Sequence, residues 1–282
     1  MKKILLTGGT GFIGSNILRE IVKYFEVTIL IRNKKFKDTG EKVDYLYFDD
    51  LKNLSTLLKK KKFDVIIHCA THYKRTHDEN DIKKMIDANI YIGSIILENY
   101  KALKFTKFIN FTSVWEDYNG IKNNPLNLYA ALKLSFSNIL KFYKKEYKNV
   151  SFYTLYLSET FGQSDPRVKL LSRLKNYYKK NLTTTIVSKN LNINIINVKD
   201  IISALKLILD KNITSGSYAI INKNDINIGD LIFKFNEEKN RKLKIKWQSK
   251  KIIKEKIIDY KMLPGWKPKN SSIDDLINYI DS

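Results

Sequence analysis

Residues 3–14 read Lys3-Ile-Leu-Leu-Thr7-Gly8-Gly-Thr-Gly11-Phe12-Ile13-Gly14. An apolar run ends in Gly8, Gly11 and Gly14, spaced G-x-x-G-x-x-G, and a helix-period stretch follows. One glycine permits a tight turn. A second lets the backbone approach a pyrophosphate, and the third lets helix and strand pack closely. The helix then offers unpaired N–H groups and the positive end of its dipole to phosphates. Thr7, Gly8, Gly11, Phe12, Ile13 and Gly14 are therefore expected to cradle a dinucleotide.

Outward from that turn the pattern alternates. β-rich runs fall at 27–31, 43–47, 64–68, 107–112 and 152–157, and helix-period stretches at 12–23, 51–60, 82–103 and 128–147. Strict alternation means βαβ crossovers and a parallel, doubly wound α/β sheet of the Rossmann type. After about residue 160 the elements shorten, which predicts a smaller α/β lobe. The expected division is 1–160 for cofactor binding, with a return segment near 190–210, and 161–282 for substrate.

Composition narrows the classes. The chain has 282 residues, 43% hydrophobic, enough for a large core. One cysteine excludes an internal disulfide and fits a reducing, cytoplasmic compartment. One cysteine and three histidines supply a metal site poorly, so none is expected. No apolar run approaches the roughly 20 residues of a membrane helix, and no signal peptide fits ahead of Thr7. The net charge of +22 invites a nucleic-acid reading. The lysines come instead as short scattered runs without interleaved aromatics, so no specific nucleic acid and no membrane are expected as partners.

The end of the second strand bears on cofactor choice. An acidic residue there would accept from the ribose 2′-OH of NAD. This chain has Arg32-Asn33-Lys34-Lys35. A guanidinium suits a 2′-phosphate through charge-assisted contacts, so Arg32, Asn33 and Lys35 point to NADP. The alternative is that Arg32 is one more surface cation.

Tyr129 and Lys133 lie four residues apart on one face of a predicted helix. A nearby ammonium favours the phenolate and lowers a tyrosine pKa from about 10. Such a tyrosine can protonate a developing alkoxide. Ser113, at a strand end, could hydrogen-bond the same oxygen.

With these residues in place, the chain resembles the extended short-chain dehydrogenase/reductases, in particular the sugar-nucleotide epimerase/dehydratase/reductase group. The likeness runs through TGGTGFIG (7–14), Asp49-Asp50-Leu51, IIHCAT (66–71), Asn89, FTSVW (111–115), PLNLYAALK (125–133), ETFGQSDPR (159–167) and NVKDI (197–201). It implies that Ser113, Tyr129 and Lys133 are catalytic. It places Asp50 and Leu51 by the adenine, His68, Cys69, Ala70 and Thr71 along the cofactor, and Asn89 behind the site. Lys133 would also touch the cofactor. Thr71, Tyr73, Val114, Trp115, Glu159, Arg167 and Lys169 would join Ser113 and Tyr129 in holding a nucleoside-diphosphate sugar. A homodimer paired through the long helices is implied too. NLYAALK, the run 158–171 and PGWKPK (264–269) look like the CDP-abequose/CDP-paratose synthase branch, 4-ketoreductases that make surface-polysaccharide sugars.

The positions around Ser113 discriminate among the group's reactions. A 4,6-dehydratase needs an Asp-Glu pair directly after it, where this chain has Val114 and Trp115. Glu116 and Asp117 follow, displaced by two. A 3,5-epimerase needs paired Cys and His near the sugar, and Cys69 lies in the cofactor half. Arg32 disfavours an NAD-retaining 4-epimerase. The expectation is NADPH-dependent reduction of a 4-keto sugar nucleotide. A 4-epimerase and an NADP-sensing regulator without catalysis stay open. Tyr156, Glu159 and Gln163 stand where the group usually has Arg, Asn and Pro, which leaves the sugar and base contacts undetermined.

Overall fold

The structure is a computed structural model that describes residues 1–32, 43–248 and 259–282. Strands β1 (Lys3–Thr7), β2 (Glu26–Ile31), β3 (Asp44–Tyr47), β4 (Val65–His68), β5 (Lys107–Ser113) and β6 (Ser151–Leu157) form where alternation predicts them. Between them run helices α1 (Phe12–Ile21), α2 (Leu51–Lys59), α3 (Glu79–Ile86), α4 (Ile92–Glu98), α5 (Tyr100–Leu103) and α6 (Leu128–Glu146). With a further strand at Gly216–Ile220, the six strands make one sheet. Its order is Gly216–Ile220, β6, β5, β4, β1, β2, β3. β1 pairs in parallel with both β2 and β4, and β2–β3 and β4–β5 are parallel as well. The fold is the Rossmann-type α/β sheet. Its buried strands read as apolar runs because helices cover both faces. On one face Leu5, Ile66 and Phe108 pack with Ile96, Phe136 and Leu140 of α4 and α6.

The continuous helix predicted over 82–103 does not form. It is broken by a π-helical turn, Asp87–Tyr91, and again at Asn99. Asn89 causes the first break. Its Nδ2 donates to the carbonyl of Met85 at 2.9 Å and so takes the acceptor its own backbone N–H would use in an α-helix. At Asn99 the Ile95 carbonyl accepts from both the side-chain Nδ2, at 2.8 Å, and the backbone N–H, at 3.1 Å. A 3₁₀ segment, Val114–Gly120, directly follows β5 and has no counterpart in the sequence reading.

The chain divides into two compact units. The first holds Met1–Asp117, Lys122–Tyr156 and Ile213–Tyr218; the second holds Tyr118–Ile121, Leu157–Asn212 and Ala219–Ser282. The returning segment is thus Ile213–Tyr218, at the strand that extends the sheet, and not 190–210. Residues 190–210 stay in the second unit because α8 (Val198–Asp210), like α7 (Leu170–Lys179), α9 (Ile228–Glu238) and α10 (Ile273–Asp281), belongs there. Within that unit Leu174, Ile228, Phe235 and Ile277 share one core. Asp200 of NVKDI is fully buried and ties down the tail. It accepts from the backbone N–H groups of Lys269 and Asn270, from Asn270 Nδ2 and from Ser271 Oγ, at 2.6–2.9 Å.

Candidate active site

β1 has β2 on one side and β4 on the other, so the sheet's winding reverses there, the place where such sheets bind ligands. The glycine turn sits at that point. Gly8 has φ +69°, and a Cβ on it would lie 2.6 Å from the carbonyl carbon of Cys69. A Cβ on Gly14 would lie 2.1 Å from the carbonyl oxygen of Gly8. Both positions need glycine for close approach. Gly11 N–H donates to that same Gly8 oxygen at 2.9 Å. Phe12 and Ile13 open α1, which starts at Gly11 with no side-chain cap. Thr7 ties β1 to the loop after β4: its Oγ1 accepts from Ala70 N–H at 3.0 Å and lies 2.9 Å from His68 Nδ1. Burial, reinforced by Lys133, pushes the His68 pKa down to about 3, so the ring is neutral. Burial likewise raises the Cys69 thiol, which stays protonated.

Arg32 stands exposed just past β2, its guanidinium 5.9 Å from the centroid of Phe48. Asn33 and Lys35 lie outside the described residues. Asp50 caps α2, accepting from Lys52 N–H at 3.0 Å, with Leu51 half-buried beside it. The turn between β1 and α1 is a backbone-lined cradle that fits a dinucleotide: side chains are excluded at Gly8 and Gly14, and it leads into the positive end of the α1 dipole.

The residues expected to transfer the proton come from two elements of the same unit, β5 and α6. Ser113 ends β5 and is buried; its Oγ accepts from Trp115 N–H at 3.2 Å. Tyr129 occupies the first turn of α6, a helix capped by Asn127. Lys133, one turn on, is only 3% exposed, and its Nζ lies 5.9 Å from the Tyr129 ring centroid. That Nζ donates to the carbonyl of Phe111 on β5 at 3.2 Å. Burial lowers the Lys133 pKa to about 8, against the pull of Glu116. Tyr73 packs edge-on against Tyr129 with centroids 5.4 Å apart, and also meets Trp115 at 6.4 Å. Asn89 closes the back. It accepts from Thr71 Oγ1 at 2.6 Å and donates to the carbonyl of His72 at 2.8 Å. Thr71, Tyr73, Trp115, Ser113, Tyr129, Lys133 and Asn89 are thus brought together, with Val114 buried behind Ser113.

The second unit carries Glu159, Arg167 and Lys169. Arg167 is spent locally: its Nε and Nη2 grip Asp165 at 2.7 and 2.6 Å, and Nη2 reaches Thr160 Oγ1 at 2.8 Å. Lys169 pairs with Glu159. The sequence reading weighed Glu116 only as a displaced acid and assigned it no place in the site. It is fully buried, accepts from Thr112 Oγ1 and from Ser137 Oγ at 3.1 Å, and burial raises its pKa to about 7. Its position directly after Trp115 was the signal in the sequence.

Residues 4–229 match the profile of the NAD dependent epimerase/dehydratase family. The chain belongs to the NAD dependent epimerase/dehydratase family. It is an NAD(P)-dependent enzyme of the short-chain dehydrogenase/reductase type. Among relatives of the family, a CDP-abequose synthase from Yersinia pseudotuberculosis is 28% identical, over 86% of this chain and 87% of that one. A dTDP-D-glucose 4,6-dehydratase from Dictyostelium discoideum is 27% identical, over 78% of this chain and 58% of its own. A UDP-glucuronic acid 4-epimerase from Bacillus cereus, solved with UDP-glucuronic acid and NAD, superposes with a TM-score of 0.79 at 22% identity, covering 99% and 98% of the two chains. That last likeness bears on the fold. No helix among the described residues is long and apolar enough to cross a membrane.

Proposed function

We propose that the chain reduces the 4-keto group of a nucleoside-diphosphate sugar, CDP-linked and 6-deoxy, with NADPH, in a cytoplasmic route to surface-polysaccharide sugars. The observation that carries this is a Tyr129–Lys133–Ser113 set with, among the described residues, no second acid–base pair at the positions directly after Ser113. Val114 and Trp115 cannot ionise, and Glu116 is turned into the core onto Thr112 and Ser137. Water loss from the sugar needs an acid and a base that these positions do not offer. Reduction needs one proton donor. The CDP-abequose synthase relative supports the 4-keto sugar and the cytidine diphosphate, and Arg32 in place of an acidic residue supports NADP.

Gly8, Gly11, Gly14 and the N-terminus of α1 would hold the pyrophosphate, with Arg32 at the 2′-phosphate and Lys133 at the nicotinamide ribose. When bound, the dihydronicotinamide supplies a hydride. Tyr129 gives its proton to the carbonyl oxygen as negative charge gathers there, and Ser113 donates a second hydrogen bond. Lys133 stabilises the phenolate that remains. Tyr73 and Trp115 offer apolar faces against the sugar.

The test is NADPH oxidation with a 4-keto-6-deoxy sugar nucleotide made in situ. Tyr129→Phe removes one hydroxyl and little volume, so fold and cofactor affinity should persist while the rate falls by roughly 10²–10⁴-fold. Lys133→Met should weaken both rate and cofactor binding. A Tyr129→Phe enzyme near wild-type rate overturns the mechanism. A wild type that reduces no keto sugar yet interconverts 4-epimers without added cofactor is an epimerase. One that binds NADP and turns over neither is a regulator.

A further inference from the structure

Glu116 is a buried carboxyl that proton transfer as described does not use. We propose that Glu116 is a positioning residue for the Tyr129–Lys133 pair: its carboxylate ties the strand end carrying Ser113 to α6 and supplies the negative charge that Lys133 faces.

The geometry supports both roles. Thr112, which donates to Glu116 Oε1, immediately precedes Ser113. Ser137, which donates to the same oxygen at 3.1 Å, sits one helical turn beyond Lys133 on the same face of α6. Lys133 in turn donates to the carbonyl of Phe111, the residue before Thr112. β5 and α6 are therefore stitched twice, once by the ammonium and once by the carboxylate. Oε2 of Glu116 is buried with no hydrogen-bond partner among the described residues. Among the described residues, the other ionisable groups around the pair are Asp117 on the same 3₁₀ segment, His68 and Cys69 at the end of β4, Tyr73, whose ring meets Tyr129 edge-on, and Tyr156 on β6. Of these, His68 is neutral and burial keeps the Cys69 thiol and Tyr156 phenol protonated, so Glu116 is the anion that opposes Lys133 most directly. Lys133 and Glu116 depend on each other: burial penalises each charge, and each charge offsets the penalty on the other.

The sign of the effect follows. Removing the carboxylate makes the ammonium less favourable and the phenolate more favourable. Both changes let protons leave the Tyr129–Lys133 pair at lower pH, whichever group loses its proton first. Reduction needs protonated Tyr129, so its alkaline limb should move down with them.

This inference rests on the proposed reductase chemistry only for its second readout. The first is the carbon-13 signal of Tyr129 in tyrosine-labelled protein without substrate, assigned by its loss in Tyr129→Phe. In Glu116→Gln the titration should move down by about one pH unit or more, and in Glu116→Asp return toward wild type. The alkaline limb of keto reduction should shift by the same amount. If the Glu116→Gln protein does not fold, the reciprocal arm decides. The Glu116 carboxyl, followed in glutamate-labelled protein and assigned by Glu116→Asp, should stay protonated to higher pH in Lys133→Met by about one unit. A Tyr129 titration unmoved by Glu116→Gln, or a Glu116 titration unmoved by Lys133→Met, overturns the proposal. So does a rate loss equal at every pH with no rescue by Asp. If the titrations move and no keto sugar is reduced, the reductase reading fails while this inference stands.

Discussion

Arg32 is the residue on which the proposed preference for NADP turns. It lies just past the end of β2, exposed, with its guanidinium over the Phe48 ring. An exposed surface cation is worth little to stability, so replacing it should leave the fold intact. Its value would lie in a 2′-phosphate. A charge-assisted pair there is worth on the order of 2–3 kcal/mol, and Arg32→Asp should forfeit it while offering an acceptor to a 2′-hydroxyl. Titration of both cofactors against both proteins should show the preference exchanged. A wild type that binds NAD(H) at least as tightly as NADP(H) removes the argument. At this scale the sequence was most informative where chemistry and spacing coincide. Tyr129 and Lys133 are four apart on a helix, and the structure stacks them as that spacing requires. Glu116 was opaque for the opposite reason. A carboxylate in a polar-looking stretch carries no mark of burial until Thr112 and Ser137 are seen to close over it. Arg167 misleads similarly: a lone arginine after a loop suggests a phosphate partner, and its fork is already taken by Asp165.

At the scale of elements, long periodic segments were legible and short ones were not. Strands β1 to β6 stand within a residue or two of their apolar runs, because a strand buried on both faces must be apolar throughout. The two- and three-residue strands of the second unit, such as Asn192–Ile193 and Ile226–Asn227, are too short to have a period. The π turn at Asp87–Tyr91 was hidden by periodicity itself, since one asparagine side chain interrupts an otherwise continuous apolar pattern. The β1–α1 junction is the element with the least tolerance. Gly14 lies inside α1, where alanine would ordinarily gain about 0.5–1 kcal/mol in helix propensity. Against that, its Cβ would press to 2.1 Å on the Gly8 carbonyl oxygen, which is backbone and cannot swing away. Overpacking of that kind costs about 1–3 kcal/mol, so the clash wins. Gly14→Ala should lower the denaturation midpoint and, by displacing the turn from Cys69 and Ala70, weaken cofactor binding. A Gly14→Ala protein that is more stable and binds cofactor unchanged would show that the junction has slack.

On the scale of the whole molecule, two features pull in opposite directions. The net charge of +22 repels a second copy at long range. Yet α3, the π turn and α6 leave large apolar side chains in water: Ile82 and Ile86 one turn apart on α3, then Tyr91, and Phe142, which is 57% exposed. Single exposed apolar residues are ordinary. Four on elements that pack against one another are what a helical interface presents, as the implied pairing through the long helices requires. If two copies associate through this face, attraction comes from apolar burial and opposition from net charge. Salt screens the second and not the first, the Debye length falling from about 10 Å at 0.1 M to about 3 Å at 1 M. The dimer should therefore tighten as salt rises, the reverse of a nucleic-acid complex held by these lysines, which would weaken. Sedimentation of the wild type across that range reads the sign directly. Phe142→Glu, which sets a charge among the apolar side chains, should give a monomer at every salt concentration with its Tyr129–Lys133 chemistry intact, since Phe142 is more than two turns of α6 beyond Lys133. A wild type that stays monomeric at high salt, or a Phe142→Glu protein that still dimerises, excludes this face as the interface.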